Sequence, residues 1–236
     1  MIQVDLSKVL GPIKPVNGMG NGPVCRGNFD NTKYYRQAAF PIVRCHDMNF
    51  PNPREVDLPQ IFPDFDADPD DPASYDFVRT DLYLKQIRNA GCDILYRLGT
   101  SIENGELRFY VHPPKDYLKF AKVCHNIIRH YNHGWANGYH WNIRFWELWN
   151  EPDIGEKDSD RQMDGMWTGT AQQFYDCYAV VSRYIKSREP DILFGGYASC
   201  AVTEPSRKVF FDGFLERVKA EKLPLDFFSW HCYGDQ

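Results

Sequence analysis

One regularity limits the fold of this chain more than any other. Short apolar runs of strand length alternate with longer stretches of helical periodicity. FPIVRCHDM (40–48) is a β-branched run ending in polar residues, and DFVRTDLYLKQIRNAG (76–91) reads as a helix with Asp76 as N-cap and Gly91 as its stop. CDILYRLG (92–99) is again a strand. PKDYLKFAKVCHNIIRHYNHG (114–134) carries Leu118, Val123, Ile127 and Tyr131 near helical spacing, and the run into WELWN (143–150) follows as a strand. TAQQFYDCYAVVSRYIKSREP (170–190) has Phe174, Cys177, Tyr178, Val181 and Ile185 on one stripe, with Thr170 and Gln173 spaced as a capping box. DILFGGYAS (191–199) is a strand, RKVFFDGFLERVKAEKLP (207–224) a helix, and LDFFSWHCYG (225–234) a last strand. Strands apolar on both faces and separated by helices form parallel sheets with right-handed crossovers.

Two α/β architectures satisfy that pattern. An open nucleotide-binding sheet needs a glycine-rich turn leading into a helix. NGMGNGP (17–23) has its glycines at alternate positions and no helix start close by. Polar residues, in contrast, collect at the C-terminal ends of the strands: Arg44, His46 and Asp47; Arg97; Asn150 and Glu151; Ser199; His231 and Tyr233. A (β/α)8 barrel places its site there. Strands are expected near 14–18, 42–46, 93–98, 144–149, 192–197 and 226–231, so the expected fold is a TIM barrel truncated after its sixth strand.

Composition narrows the partners. A net charge of −5 without a Lys/Arg run argues against nucleic acid, and no apolar run approaches the 18 or so residues of a membrane span. The first residues lack the pattern of a signal peptide. Seven scattered cysteines without a C-x-x-C pair read as buried free thiols in a reducing compartment, with a packing role for Cys124, Cys177 and Cys200; the expected location is cytoplasmic.

WELWNEPD (146–153) resembles the fourth-strand motif of the clan A retaining glycoside hydrolases. With GTAQQFYDCY and FSWHCYG downstream, it is most similar to family 39, which contains β-xylosidases and α-L-iduronidases. The resemblance implies a TIM barrel that cleaves β-linked glycosides by double displacement. A retaining enzyme uses two carboxyl groups about 5–5.5 Å apart, one of which must hold its proton to near neutrality in order to give it to the leaving oxygen. By the resemblance Glu151 is that acid/base, and Asn150 binds the sugar 2-hydroxyl. Pro152 aims the carboxyl, Trp149 packs beneath the site, and Arg44 keeps the nucleophile ionised. His231 and Tyr233 contact the nucleophile and sugar hydroxyls, and His46 and Asp47 are subsite contacts or local turn formers. A carbohydrate substrate is implied, and no metal or cofactor.

The nucleophile has no counterpart, because in the clan it is a Glu ending strand seven. Glu147, four residues before Glu151 on one strand, is roughly 13 Å away by strand rise, and reads as a polar residue of the barrel interior. Glu103, Glu204 and Asp235 follow strands without matching the nucleophile's position. Residues 1–236 are therefore expected to be the N-terminal portion of a longer hydrolase, with its nucleophile beyond residue 236 and self-association through open barrel edges. A barrel that binds a glycan without cutting it, or an inactive fragment, stays open as an alternative. DFDADPDD (64–71) loosely resembles a calcium loop but has Pro69 where a glycine is wanted. His125, His130 and His133 lack cysteine partners for zinc and read as a solvated helix face.

Overall fold

The computed structural model describes residues 5, 7–8, 11–12, 14–46, 54–102, 108–154 and 165–233, with the side chain of residue 206 excepted. The strands are β1 (Met19–Gly20), β2 (Cys25–Arg26), β3 (Phe29–Asp30), β4 (Ile42–Cys45), β5 (Asp93–Leu98), β6 (Phe145–Leu148) and β7 (Leu193–Gly196). The helices are α1 (Thr32–Ala38), α2 (Leu58–Ile61), α3 (Val78–Asn89), α4 (Tyr117–His133), α5 (Ala171–Lys186) and α6 (Pro205–Glu221). One sheet runs β1-β4-β5-β6-β7 with every pair parallel, and β2 and β3 form a separate antiparallel hairpin. This is part of a (β/α)8 barrel, progressing by one neighbouring strand at each crossover.

The helices form where their ends are satisfied. In α5 the Thr170 hydroxyl accepts from the Gln173 amide at 3.2 Å, while the Gln173 side chain accepts from the Thr170 amide at 2.9 Å. Asp116 caps α4 through the amides of Leu118 and Lys119, and Gly134 ends it in the left-handed conformation at φ 73°. The Asp76 carboxylate accepts from the Val78 amide at 3.0 Å and caps α3 as expected, with Phe77 following it in helical conformation. One expectation needs correction here. Leu118 is half exposed: the face of α4 that meets the sheet is Phe120, Val123, Cys124, Ile127 and Tyr131, a stripe rotated away from Leu118.

The first and last strands also differ from expectation. Residues 14–18 are not strand; pairing begins at Met19, which lies level with Val43. Pro15 lacks the amide a ladder needs. Near the C-terminus there is no continuous sixth strand over 226–231 but two isolated parallel bridges, Gly195 to Phe227 and Ser199 to Trp230. Gly196 at φ 122° and Ala198 at φ 53° carry the backbone out of extended geometry between them. At Gly195 a β-carbon would lie 2.1 Å from the Phe227 carbonyl oxygen, so only glycine lets this segment approach.

The two faces of the sheet are unequal. Outward side chains Val43, Ile94, Tyr96, Trp146, Leu148 and Phe194 are almost fully buried under the helices, each worth about 1.5–3 kcal/mol for the larger ones. On the inner face, the row Arg44, Leu95, Phe145 and Leu193 is in register, and Leu95, Phe145 and Leu193 stay partly exposed. Above them lie Arg97, Glu147 and Gly195, which with Ser229 build a polar layer beneath the strand ends.

Candidate active site

At the end of β6 the chain turns sharply. The Trp149 amide still donates to Leu98 O at 2.7 Å, but its φ of 68° and that of Glu151, 48°, are left-handed. The Trp149 indole is buried edge-on to Trp167 and donates to Met166 O, which places it beneath the turn as expected. The Glu151 amide is shared between the carbonyls of Tyr197 at 3.2 Å and Ala198 at 3.1 Å. These bonds tie the turn to the loop after β7 and leave the Glu151 side chain only 7% exposed.

Its carboxyl meets the imidazole of His231, with Nδ1 bonded to Oε1. Nδ1 donates to an ionised Glu151 and accepts from a protonated one, so the contact serves both states of a proton-transferring carboxyl. The sequence placed His231 against the nucleophile and sugar hydroxyls; the structure pairs it with Glu151, because Phe227, Ser229 and His231 point to one side along the segment and bring the ring level with the β6 turn. Tyr233 lies two residues on, its ring 5.8 Å from that of His231, and is mostly exposed.

Arg44 is held from two sides. Its guanidinium bonds Glu147 Oε2 through Nε at 2.7 Å and Nη2 at 2.6 Å, and Nη2 also donates to Asn150 Oδ1 at 2.8 Å. A guanidinium can only donate, so the Asn150 carbonyl must face Arg44 and its NH2 must point away. That Nδ2 is buried and has no partner among the described residues. Glu147 is fully buried, and its second oxygen accepts from Ser229 Oγ at 2.7 Å. It is the interior residue the sequence suggested, and Arg44 is its ion-pair partner.

A second cluster stands beside the first. Arg97 is fully buried and donates to Asp57 Oδ1 at 2.6 Å, to Ser101 Oγ at 3.2 Å and, through Nε, to His46 Nδ1 at 3.2 Å. Because Arg97 donates, His46 Nδ1 accepts, and the ring proton of neutral His46 sits on Nε2. Asp57 also accepts from the Ser101 amide and hydroxyl, both at 2.9 Å.

Asp153, buried two residues past Glu151, accepts from the Ser199 hydroxyl and from the Cys200 amide at 3.0 Å. Burial raises its proton affinity despite these bonds. Burial, and then the neighbouring Glu151 carboxyl, push the Cys200 thiol up to about 11, and Arg207 Nη1 donates to its sulfur at 3.3 Å. Sequence reasoning did not single out Asp57, Asp153 or Ser229. Asp153 and Ser229 had a signal, since each stands two residues from a site residue; Asp57 had none.

Other expectations resolve as follows. Asp47, Glu103 and Asp235 lie outside the described residues. Glu204 precedes α6 and pairs with Arg207 at 3.4 Å. In the aspartate-rich segment, Asp64, Asp68 and Asp71 accept the amides of Asp66, Asp70 and Ala73, spending their carboxylates on local turns. Of the α4 histidines only His133 is exposed as expected. His130 is buried, stacked on Phe77 and bonded to Asp81, and His125 and His133 share Glu189. Cys45, Cys92, Cys124 and Cys177 are buried, whereas Cys25 and Cys232 are exposed. Among the described residues no helix is long and apolar enough to cross a membrane.

A carboxyl turned in at the end of a barrel strand, flanked by an amide and met by a histidine, invites comparison with known hydrolases. The model of the glycosyl hydrolases family 39 matches residues 2–236. The chain belongs to that family. Among solved structures, a glucosidase from Croceicoccus marinus superposes on this chain with a TM-score of 0.78 at 31% identity, covering 97% of this chain and 45% of that one. A monomeric β-xylosidase from Caulobacter crescentus superposes with a TM-score of 0.66 at 18% identity, covering 97% and 44%, a likeness of fold. In sequence, a β-xylosidase from Geobacillus stearothermophilus is 28% identical over 127 residues, which are 52% of this chain and 22% of that protein. The chain thus spans less than half the length of these relatives.

Proposed function

We propose that this family 39 chain supplies the acid/base half of a retaining O-glycosyl hydrolase acting on β-linked, xylosidase-like glycosides. The observation that carries the reading is the buried Glu151 carboxyl on His231 beside an Asn150 amide whose N–H has no partner. An orphaned buried donor costs about 1–3 kcal/mol, and a sugar 2-hydroxyl would repay it. In the first step the Glu151 acid gives its proton to the glycosidic oxygen as that bond breaks, while a second carboxylate attacks the anomeric carbon. In the second step Glu151 takes a proton from water, which displaces the carboxylate. His231 stays bonded to Glu151 through both charge states. Arg44 orients Asn150, and His46 and Tyr233 contact the sugar.

Residues 1–236 are read as the N-terminal portion of the barrel, strands one to six, with the nucleophile beyond residue 236. Two observations support this. The chain covers 45% of the glucosidase, and Glu147, the other carboxylate of the β6 segment, is fully buried and committed to Arg44.

The test compares Glu151→Ala with the parent in a form of the protein that carries the second carboxylate. The substrates are aryl β-xylosides and β-glucosides of graded leaving-group acidity. Loss of an acid costs about 10²–10⁴-fold on poor leaving groups and far less on good ones, and azide should restore the second step. An equal loss on all substrates would overturn the assignment. Saccharide binding by the parent without turnover, unaltered in Glu151→Gln, would favour a non-hydrolytic barrel. The 236-residue chain alone is expected to give no ordinary turnover.

A further inference from the structure

We propose that Asp153 is a positioning residue for Glu151: it latches the turn that carries the acid to the loop after β7. The proposal rests on the reading of Glu151 as the proton donor. The two segments exchange bonds in both directions. The turn gives its Glu151 amide to the carbonyls of Tyr197 and Ala198, and the loop returns the Ser199 hydroxyl and the Cys200 amide to the Asp153 carboxylate. Neither set alone fixes the other, since the first restrains only the backbone at 151, whose left-handed φ of 48° is an unfavourable basin for a residue with a side chain. Relaxation to the ordinary basin would swing the Cα–Cβ bond, and the carboxyl, off His231.

Ser199 makes the latch more than a loop staple. Its hydroxyl donates to Asp153, its amide donates to Ser229 O at 3.0 Å, and its carbonyl accepts from the His231 amide at 2.8 Å. Asp153 therefore ties the acid and the histidine that meets it to one point. Its own placement is costly: it is 2% exposed, and its carboxylate meets the Ser199 hydroxyl and the Cys200 amide, with no cation paired to it among the described residues. A neutral side chain would staple the loops at less expense in stability. What an aspartate adds is two strong acceptors that draw both donors to one carboxylate, a geometric constraint.

The experiment uses the 236-residue chain and does not depend on catalysis. Amide exchange at Glu151 and the His231 Nδ1 proton resonance, assigned by its loss in Glu151→Ala, are followed by NMR in Asp153→Ala and Asp153→Asn. The latch predicts that Asp153→Ala speeds exchange at Glu151 by about tenfold or more, and shifts or abolishes the His231 signal, while β5 and α5 amides keep their protection. Asp153→Asn, which keeps one acceptor for Cys200 but must donate to Ser199, should restore only part of both. A folded Asp153→Ala with Glu151 and His231 unmoved overturns the proposal, and so does a loss of protection spread evenly over the chain. Should Asp153→Ala not fold, Ser199→Ala removes one arm of the latch, and an unmoved His231 signal there is equally fatal. Because the readout is geometric, the latch can fail while Glu151 remains the acid, and the reverse.

Discussion

Asp57→Ala should lower the free energy of unfolding by about 4–6 kcal/mol, because it strands a buried cation. Arg97 and Asp57 are 0% and 1% exposed, and Nη2 to Oδ1 is 2.6 Å. Removing one partner of such a pair costs about 3–5 kcal/mol. The Ser101 amide, 2.9 Å from Oδ2, would lose its acceptor as well, at about 1–3 kcal/mol that overlaps in part with the first figure. Arg97 cannot escape to water, and its remaining partners are His46 Nδ1 and Ser101 Oγ, both at 3.2 Å. The double variant Arg97→Met/Asp57→Leu should regain most of the loss, since apolar replacement of a whole buried pair is often near neutral. It should stop about 1–3 kcal/mol short, because the Ser101 amide still lacks its acceptor and His46 loses a donor. Urea titration followed by tryptophan fluorescence and far-UV circular dichroism measures both. A single-variant cost below about 1.5 kcal/mol, or a double variant no better than the single, would show that Asp57 shapes its loop without holding the charge.

Three further outcomes are expected. Gly195→Ala should cost about 1–3 kcal/mol or more by overpacking against the Phe227 carbonyl, seen as a lowered Tm; an unchanged Tm would mean the segment at 227 moves freely. Thr170→Ala should cost about 1 kcal/mol and Thr170→Ser much less, since only the first removes the acceptor of the Gln173 amide; equal losses would point to the methyl group instead. Burial holds the His125 imidazole below its usual value, outweighing its Glu189 bond. The unfolded chain takes up that proton near pH 6.5, so the stability this group carries is in place above 6.5 and is lost as pH falls through the lowered folded value. Thermal melts from pH 7.5 down to pH 5 should show the parent falling relative to His125→Asn; parallel curves would refute the sign.

What could be read from the sequence was what repeats or what is local. The α5 stripe and its cap are both local and form as expected, and β4 to β7 lie within the expected runs because apolar residues on both faces leave no other buried geometry. The hairpin of β2 and β3 has two-residue strands, too short for periodicity to register. α1 buries only Thr32 and Tyr35 and shows no stripe. In the site, the motif around Glu151 was legible because it is contiguous. Asp57, 40 positions from its Arg97 partner, was not, since nothing in an irregular Pro- and Asp-rich segment marks one carboxylate as the one that turns inward. That His231 meets Glu151 was not legible for the same reason: residue type and spacing give the face, and only the packed strands give the neighbour.

The backbone at residue 151 prefers no side chain at all. Glycine there would relieve about 1–2 kcal/mol of steric opposition, so a chain selected for thermal robustness alone would drift away from glutamate at the position proposed to donate the proton. Trp149 and Ala198, at φ 68° and 53°, bear the same burden on either side of it. On the proposed reading of Glu151, durability and reactivity are thus opposed within a few residues, and a stabilising substitution in this turn is expected to disarm it.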